Sequence, residues 1–167
     1  MRALSVRQPW AWAVARGHQD ILNLATNTGY RGPVAIYASL RADRGSCDGP
    51  RAAVADWDSA DPAASAGGII AVVSLVGVCT VAASGRPCRC GEGASAGRYH
   101  WRVMQPKPLK WPVMALSHPG LWELTPVVAA GVARLLPAGP GQMPPGPPAR
   151  PPACHRRRAV HPLKRPN

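Results

Sequence analysis

Apolar and polar positions change rhythm several times along this chain, and each change marks an element. In Pro9–Gly17, PWAWAVARG, the residues Trp10, Ala13 and Val14 fall on one face of a helix. Pro9 suits a first turn and Gly17 a left-handed cap, so the stretch predicts a short helix. Val34–Ala38 (VAIYA) predicts a strand entered from a Gly-Pro turn. Gly68–Ala82 (GIIAVVSLVGVCTVA) is rich in β-branched residues and predicts one long or bent strand with Gly77 at the bend. Between these strands, residues 40–66 mix Asp, Pro, Gly and Ala around AAVADW, which suits one modest helix flanked by loops. SGRPCRCGEGASAGR reads as an exposed loop. Short strands are predicted at HWRVM, WPVMAL and GLWEL, followed by a helix that Thr125 and Pro126 open and that runs through VVAAGVARLL. Several strands, two or three helices and no βαβ rhythm predict a mainly β, α+β fold, a small β-barrel with flanking helices.

The pattern ends at Leu136. From Pro137 onward the chain holds half of its 20 prolines and almost no large apolar side chains, too little to offset the entropy of ordering. The expected organisation is one domain over residues 1–136 and a Pro/Arg-rich disordered tail over 137–167. Charge follows the same division. The formal net charge is +12, from 20 Lys+Arg against 8 Asp+Glu, yet Arg150, Arg156, Arg157, Arg158, Lys164 and Arg165 place six of those charges in the tail. An arginine-dominated surplus favours an anionic partner, while a solvated basic surface is the plainer reading. No apolar run approaches the roughly 18 residues that cross a bilayer, and MRALSVRQPW lacks the order of a secretory signal. The expectation is a cytoplasmic protein with no membrane association, whose five cysteines stay reduced.

Five blocks carry a resemblance. LSVRQPWAWAVARG, YRGPVAIYAS, GGIIAVVSLVGV, YHWRVMQPKPL and HPGLWEL resemble, in order and spacing, the ASCH domain of the PUA-like superfamily, over about Leu4 to Leu124. The resemblance implies a PUA-like barrel with a cleft beside the first helix and an association with RNA or modified nucleosides. One bacterial branch of the family removes the acetyl group from N4-acetylcytidine, and other members are linked to RNA binding, RNA cleavage or transcription coactivation. Read on their own chemistry, Gln8 offers an amide able to read a base edge, and Trp10 either stacks beside it or anchors the helix in the core. Tyr30 and Arg31 precede a Gly-Pro turn, where the guanidinium suits either an anion or a structural salt bridge.

Family members that look catalytic carry a lysine, an acid or threonine, and an arginine after the first helix, with a further acid on the long strand. A lysine and a carboxylate in a partly buried cleft shift each other's protonation and together activate water and protonate a leaving amine. Laid onto this chain, those four positions fall on Gln19, Leu22, Leu24 and Ser74, and none keeps its group. If Leu22 and Leu24 lie in an extended segment, they share one face. The residues assigned to ligand or RNA binding are therefore Gln8, Trp10, Gln19, Leu22, Leu24, Tyr30, Arg31 and Ser74, with no catalytic residue and no cofactor.

Other constellations are thinner. His18 with Ser74 lacks a group to orient the imidazole, so His18 reads as a solvent-facing residue at a helix end. His100 reads as an ordinary strand histidine. Cys88 and Cys90, with Cys79 and His100 in the same region, give only C-x-C and no second pair, so they read as loop thiols and no metal is assigned. GEGASAG lacks the helix that a phosphate loop needs. Three readings follow: a module that binds RNA or a modified nucleoside without hydrolysis; an amidohydrolase of N4-acetylcytidine-type nucleosides or a ribonuclease; and a degenerate paralogue.

Overall fold

A computed structural model describes residues 1–41, 54–91 and 93–137. In chain order they form β1 (Arg2–Arg7), α1 (Trp10–Ala15), β2 (Ile21–Leu24), β3 (Gly32–Ser39), β4 (Gly68–Cys79), β5 (Tyr99–Met114), β6 (Leu121–Glu123) and α2 (Pro126–Leu135), with 3₁₀ turns at Pro62–Ala64 and Ala82–Ser84. The six strands make one sheet in the order β2-β5-β4-β3-β1-β6. Only β1 and β3 run parallel, and the remaining pairs are antiparallel. The fold is mainly β with two helices. Among the described residues, β2 and β6 are the outer strands of a curled half-barrel, the coarser form of the small barrel expected from the sequence. Curl arises where the β4–β5 register shifts, between Ile69 and Ala71, Val72 and Ser74, and Leu75 and Gly77. The last of these shifts falls at Gly77, the position where the sequence predicts a bend.

The prolines hid one strand. HWRVM and WPVMAL, read as separate strands, belong to the single 16-residue β5 that also carries Pro106 and Pro108. Proline cannot donate to a ladder, but here it sits at the irregularities, next to Gln105 with its positive φ of 53°. The helix expected around AAVADW lies partly outside the described residues. Its described end is a turn in which the Trp57 N–H donates to the Val54 carbonyl. The tail beyond Pro137 lies outside the described residues as well. Among those described, no helix is long and apolar enough to cross a membrane.

Each sheet face is covered. All six residues of α1 are buried, as expected of a helix apolar all round. They pack with Leu4, Val34, Ile36, Val73, Leu75 and Trp101. The helix ends in a Schellman arrangement: the His18 amide donates to Ala13 and the Gly17 amide to Val14, with Gly17 at φ 78°. On the other face Val132 of α2 packs with Ala3, Tyr37, Ile69, Val72 and Leu109. Thr125 caps α2 through its hydroxyl, which accepts from the Val128 amide.

A polar clasp ties α1 to the turn at Pro62. The Asp61 carboxylate pairs with Arg16, accepts from the Trp12 indole at 2.8 Å and accepts from the Ala63 amide at 2.9 Å. Arg16 is the main cause that holds the Asp61 carboxyl down at about 2, burial working against it and the two N–H donors adding to it. Asp61 therefore stabilises the fold fully above the ordinary carboxylate value of about 4, and that stabilisation is lost as pH falls toward 2. Asp61→Ala is expected to cost about 1–2 kcal/mol in urea unfolding at pH 7. Asp61→Asn is expected to flatten the fall in stability between pH 4 and 2, and an unchanged acid profile in that variant would refute the assignment.

Candidate functional site

Sequence order places α1 immediately after β1 and β2 immediately after α1, and a cleft of about 290 Å³ opens where the three meet. It is lined by residues of β1, the first turn of α1, and the segment from Gln19 through β2 to Ala25, with Arg98 from the loop before β5. Of the residues assigned from sequence, the cleft gathers Trp10, Gln19, Leu22 and Leu24. Leu22 and Leu24 do lie two apart on one strand and contribute to the same cleft. Trp10, the first residue of α1, is 6% exposed, packed in the core and part of the cleft wall, so its core-anchor reading holds.

The other four assigned residues are placed elsewhere. Gln8 is buried with its amide committed to the fold: Nε2 donates to the carbonyls of Ala63 at 2.9 Å and Ser65 at 3.2 Å, and Oε1 accepts from the Trp12 amide. That geometry leaves the amide a staple rather than a reader of base edges. Tyr30 donates its hydroxyl to the Pro33 carbonyl at 2.8 Å and carries the Arg2 guanidinium over its ring at 4.7 Å. Arg31 is exposed and folds back on its own turn, donating to the carbonyls of Thr28 at 3.0 Å and Tyr30 at 2.6 Å, instead of to an acid. Ser74 alternates with Val73 and Leu75, which pack under α1, so it faces the opposite side of the sheet from Trp10 and Leu22. Its hydroxyl meets Gln105, while exposed His18 stacks on Trp12 at 5.1 Å, so the two form no pair.

Two arginines at the cleft were not assigned from the sequence. Arg7 ends β1 and Arg98 precedes β5, and both are exposed at the cleft rim. Each lies within or beside a block quoted above, LSVRQPW and YHWRV, where attention to the alternation of β1 would have separated outward Arg7 from buried Gln8. Among the described residues, no acidic residue and no lysine lines this cleft. Its lining mixes apolar side chains, Val6, Trp10, Leu22 and Leu24 among them, with polar Ser5, Gln19 and Asn23 and the two arginines. The Gln19 side chain is buried and donates to the Ile21 carbonyl at 2.6 Å, bracing the start of β2. Asn23 braces the opposite wall: its amide donates to the Gly93 carbonyl at 2.8 Å and accepts from the Ser95 amide at 2.9 Å.

A larger cleft of about 530 Å³ runs between the end of α1 and α2, bordered by Arg16, Lys110 and Arg134. It holds none of the assigned residues.

A second cluster lies at the far end of β4 and β5. Cys79, Cys88, Cys90 and His100 bring four donor atoms within 4.8 Å of one another. The three thiols are free. Burial pushes the Cys90 thiol up to about 12, and the neighbouring Cys88 and Cys79 sulfurs push the same way. Burial also acts to raise Cys79, but the backbone amides of Ala82 and Val81 and the Cys90 and Cys88 thiols outweigh it and lower this group.

No protein-family model matches the chain. No curated protein matches it either.

Proposed function

We propose that this chain is an ASCH-like domain of the PUA-like superfamily that binds RNA, or a modified nucleoside within it, without hydrolysing it. The observation that carries the reading is the composition of the cleft beside α1. An aromatic and two leucines offer stacking and apolar contact to a base, and Arg7 and Arg98 at the rim offer bidentate contact to phosphate. The volume of about 290 Å³ lies just under the roughly 300–1,000 Å³ of small-molecule sites and suits one base or nucleoside. The same lining argues against the family's amidohydrolase chemistry. Among the described residues, neither a lysine nor a carboxylate lines it to activate water or protonate a leaving amine.

The test is a titration of the full-length chain with a short single-stranded RNA carrying either cytidine or N4-acetylcytidine at one central position. The wild type is expected to bind, with affinity falling as salt rises. Arg7→Ala combined with Arg98→Ala is expected to weaken binding about tenfold and to lower the salt slope by about 1–2. No acetate is expected to be released. Equal binding by wild type and the double variant would remove the cleft from the proposal, and acetate release that survives rigorous purification would replace binding by catalysis.

A further inference from the structure

The geometry points to a structural zinc site of the Cys₃His type, formed by Cys79, Cys88, Cys90 and His100. Its donors come from three places in the fold. Cys79 ends β4, His100 begins β5, and the two are register partners across the ladder. Cys88 and Cys90 lie in the loop between these strands, half-buried, and their sulfurs reach back to that pair. The C-x-C spacing lacks a second pair in the sequence, and the ladder supplies it.

The distances fit the ion. A tetrahedral zinc with Zn–S near 2.3 Å and Zn–N near 2.0 Å places its ligand atoms about 3.5–3.8 Å apart. Here all four donor atoms fall within 4.8 Å of one another, and the Cys88 sulfur lies 3.2 Å from His100 Nδ1. A small contraction and expansion of side chains reaches the bound geometry.

The histidine is prepared for ligation. His100 is 1% exposed, and its Nε2 lies 2.8 Å from the Ser95 carbonyl oxygen. A carbonyl only accepts, so Nε2 carries the proton and Nδ1 turns its lone pair toward the cysteines. Such an outer hydrogen bond fixes tautomer and ring orientation in metal-ligating histidines. Three thiolates and one neutral imidazole select zinc by softness and geometry, and four protein ligands leave no open position, so the site is structural rather than catalytic. Binding displaces the three thiol protons and leaves a net charge of −1 on the centre, in a loop that carries Arg86, Arg89 and Arg98.

Zinc would pin the loop that shapes the cleft wall. Gly93 and Ser95 of that loop hold the Asn23 amide, and Arg98 follows. The metal site itself does not depend on what the cleft binds.

The decisive experiment uses the full-length chain purified under reducing conditions from zinc-supplemented growth, with metal content and cysteine alkylation measured together. About one zinc per chain is expected, with Cys79, Cys88 and Cys90 protected from alkylation until a strong chelator is added. Replacing zinc by Co²⁺ is expected to give the intense visible absorption of a tetrahedral thiolate site. In Cys90→Ser that absorption is expected to fall away, with Co²⁺ affinity reduced by at least the roughly 10–100-fold that loss of an outer-shell partner brings. Two results overturn the inference: substoichiometric zinc with no change in alkylation on chelation, or a disulfide among these cysteines in a parallel preparation of the same chain made without reductant. Both readouts are made on the unaltered chain, so a variant that misfolds does not obscure them, and neither involves RNA.

Discussion

Replacing Trp101 with alanine is expected to lower the unfolding free energy by about 3–5 kcal/mol, the range for truncating a fully packed Trp. Trp101 is 2% exposed in β5, opposite Leu22 on one side and Val78 on the other. It belongs to the core that α1 covers, so its loss opens a cavity under the helix. Its indole N–H also donates to the Thr26 carbonyl at 2.9 Å, tying the chain that leaves β2 to the centre of the sheet. Truncation removes both the packing and this bond. Urea denaturation is expected to show a large fall in midpoint, with Trp101→Phe losing less because most of the volume remains. A midpoint for Trp101→Ala within the error of wild type would mean that the tryptophan is not packed as described.

Gln8→Ala is expected to cost about 2–4 kcal/mol, because three backbone groups lose their partner at once. The buried side chain spans from the α1 start to the turn at Ala63 and Ser65, and its loss leaves two carbonyls and one amide without a partner. Gln8→Glu is expected to be at least as damaging, since a carboxylate faces two carbonyl oxygens where the amide donated. The comparison also separates two roles for this residue. A structural staple lowers the denaturation midpoint and leaves the RNA affinity of the folded fraction unchanged. A base reader weakens RNA binding at unchanged stability, and that result would reverse the reading drawn from the geometry.

The proposed zinc and the proposed cleft meet in one loop. Glycine and small residues dominate SGRPCRCGEGASAGR, so the loop has little apolar surface with which to hold itself in place. Asn23 grips it from β2, and the Cys₃His cluster would grip it from β4 and β5. On this view the loop offers Arg98 to a ligand only because its anchors lie outside it.

Much of the architecture was legible in the chain. The helix at Trp10, its end at Gly17, the strands around VAIYA and GIIAVV, and the Thr125 cap are all local matters, decided by periodicity and by residues within one turn of the element they bound. The paired direction of Leu22 and Leu24 is equally local, since two-residue spacing dictates it once the segment is extended. Positions that depend on distant partners were not legible. Pro106 and Pro108 spoke against a continuous β5, and only the bulges of the β4–β5 ladder accommodate them. Gln8 and Arg31 offered polar groups, and only the folded chain shows which carbonyls consume them.

The cysteines make the division clearest. From Leu75, which faces the core under α1, plain alternation would turn Cys79 to that same face. The irregularity at Gly77 shifts the phase, so Val78 packs with Trp101 in that core while Cys79 and His100 point to the other side, toward Cys88 and Cys90. The sequence by itself determined the residue types and the local elements, because those follow from neighbours along the chain. Only the tertiary structure decided which of those residues meet, because register and bulges are set by pairing between strands distant in sequence.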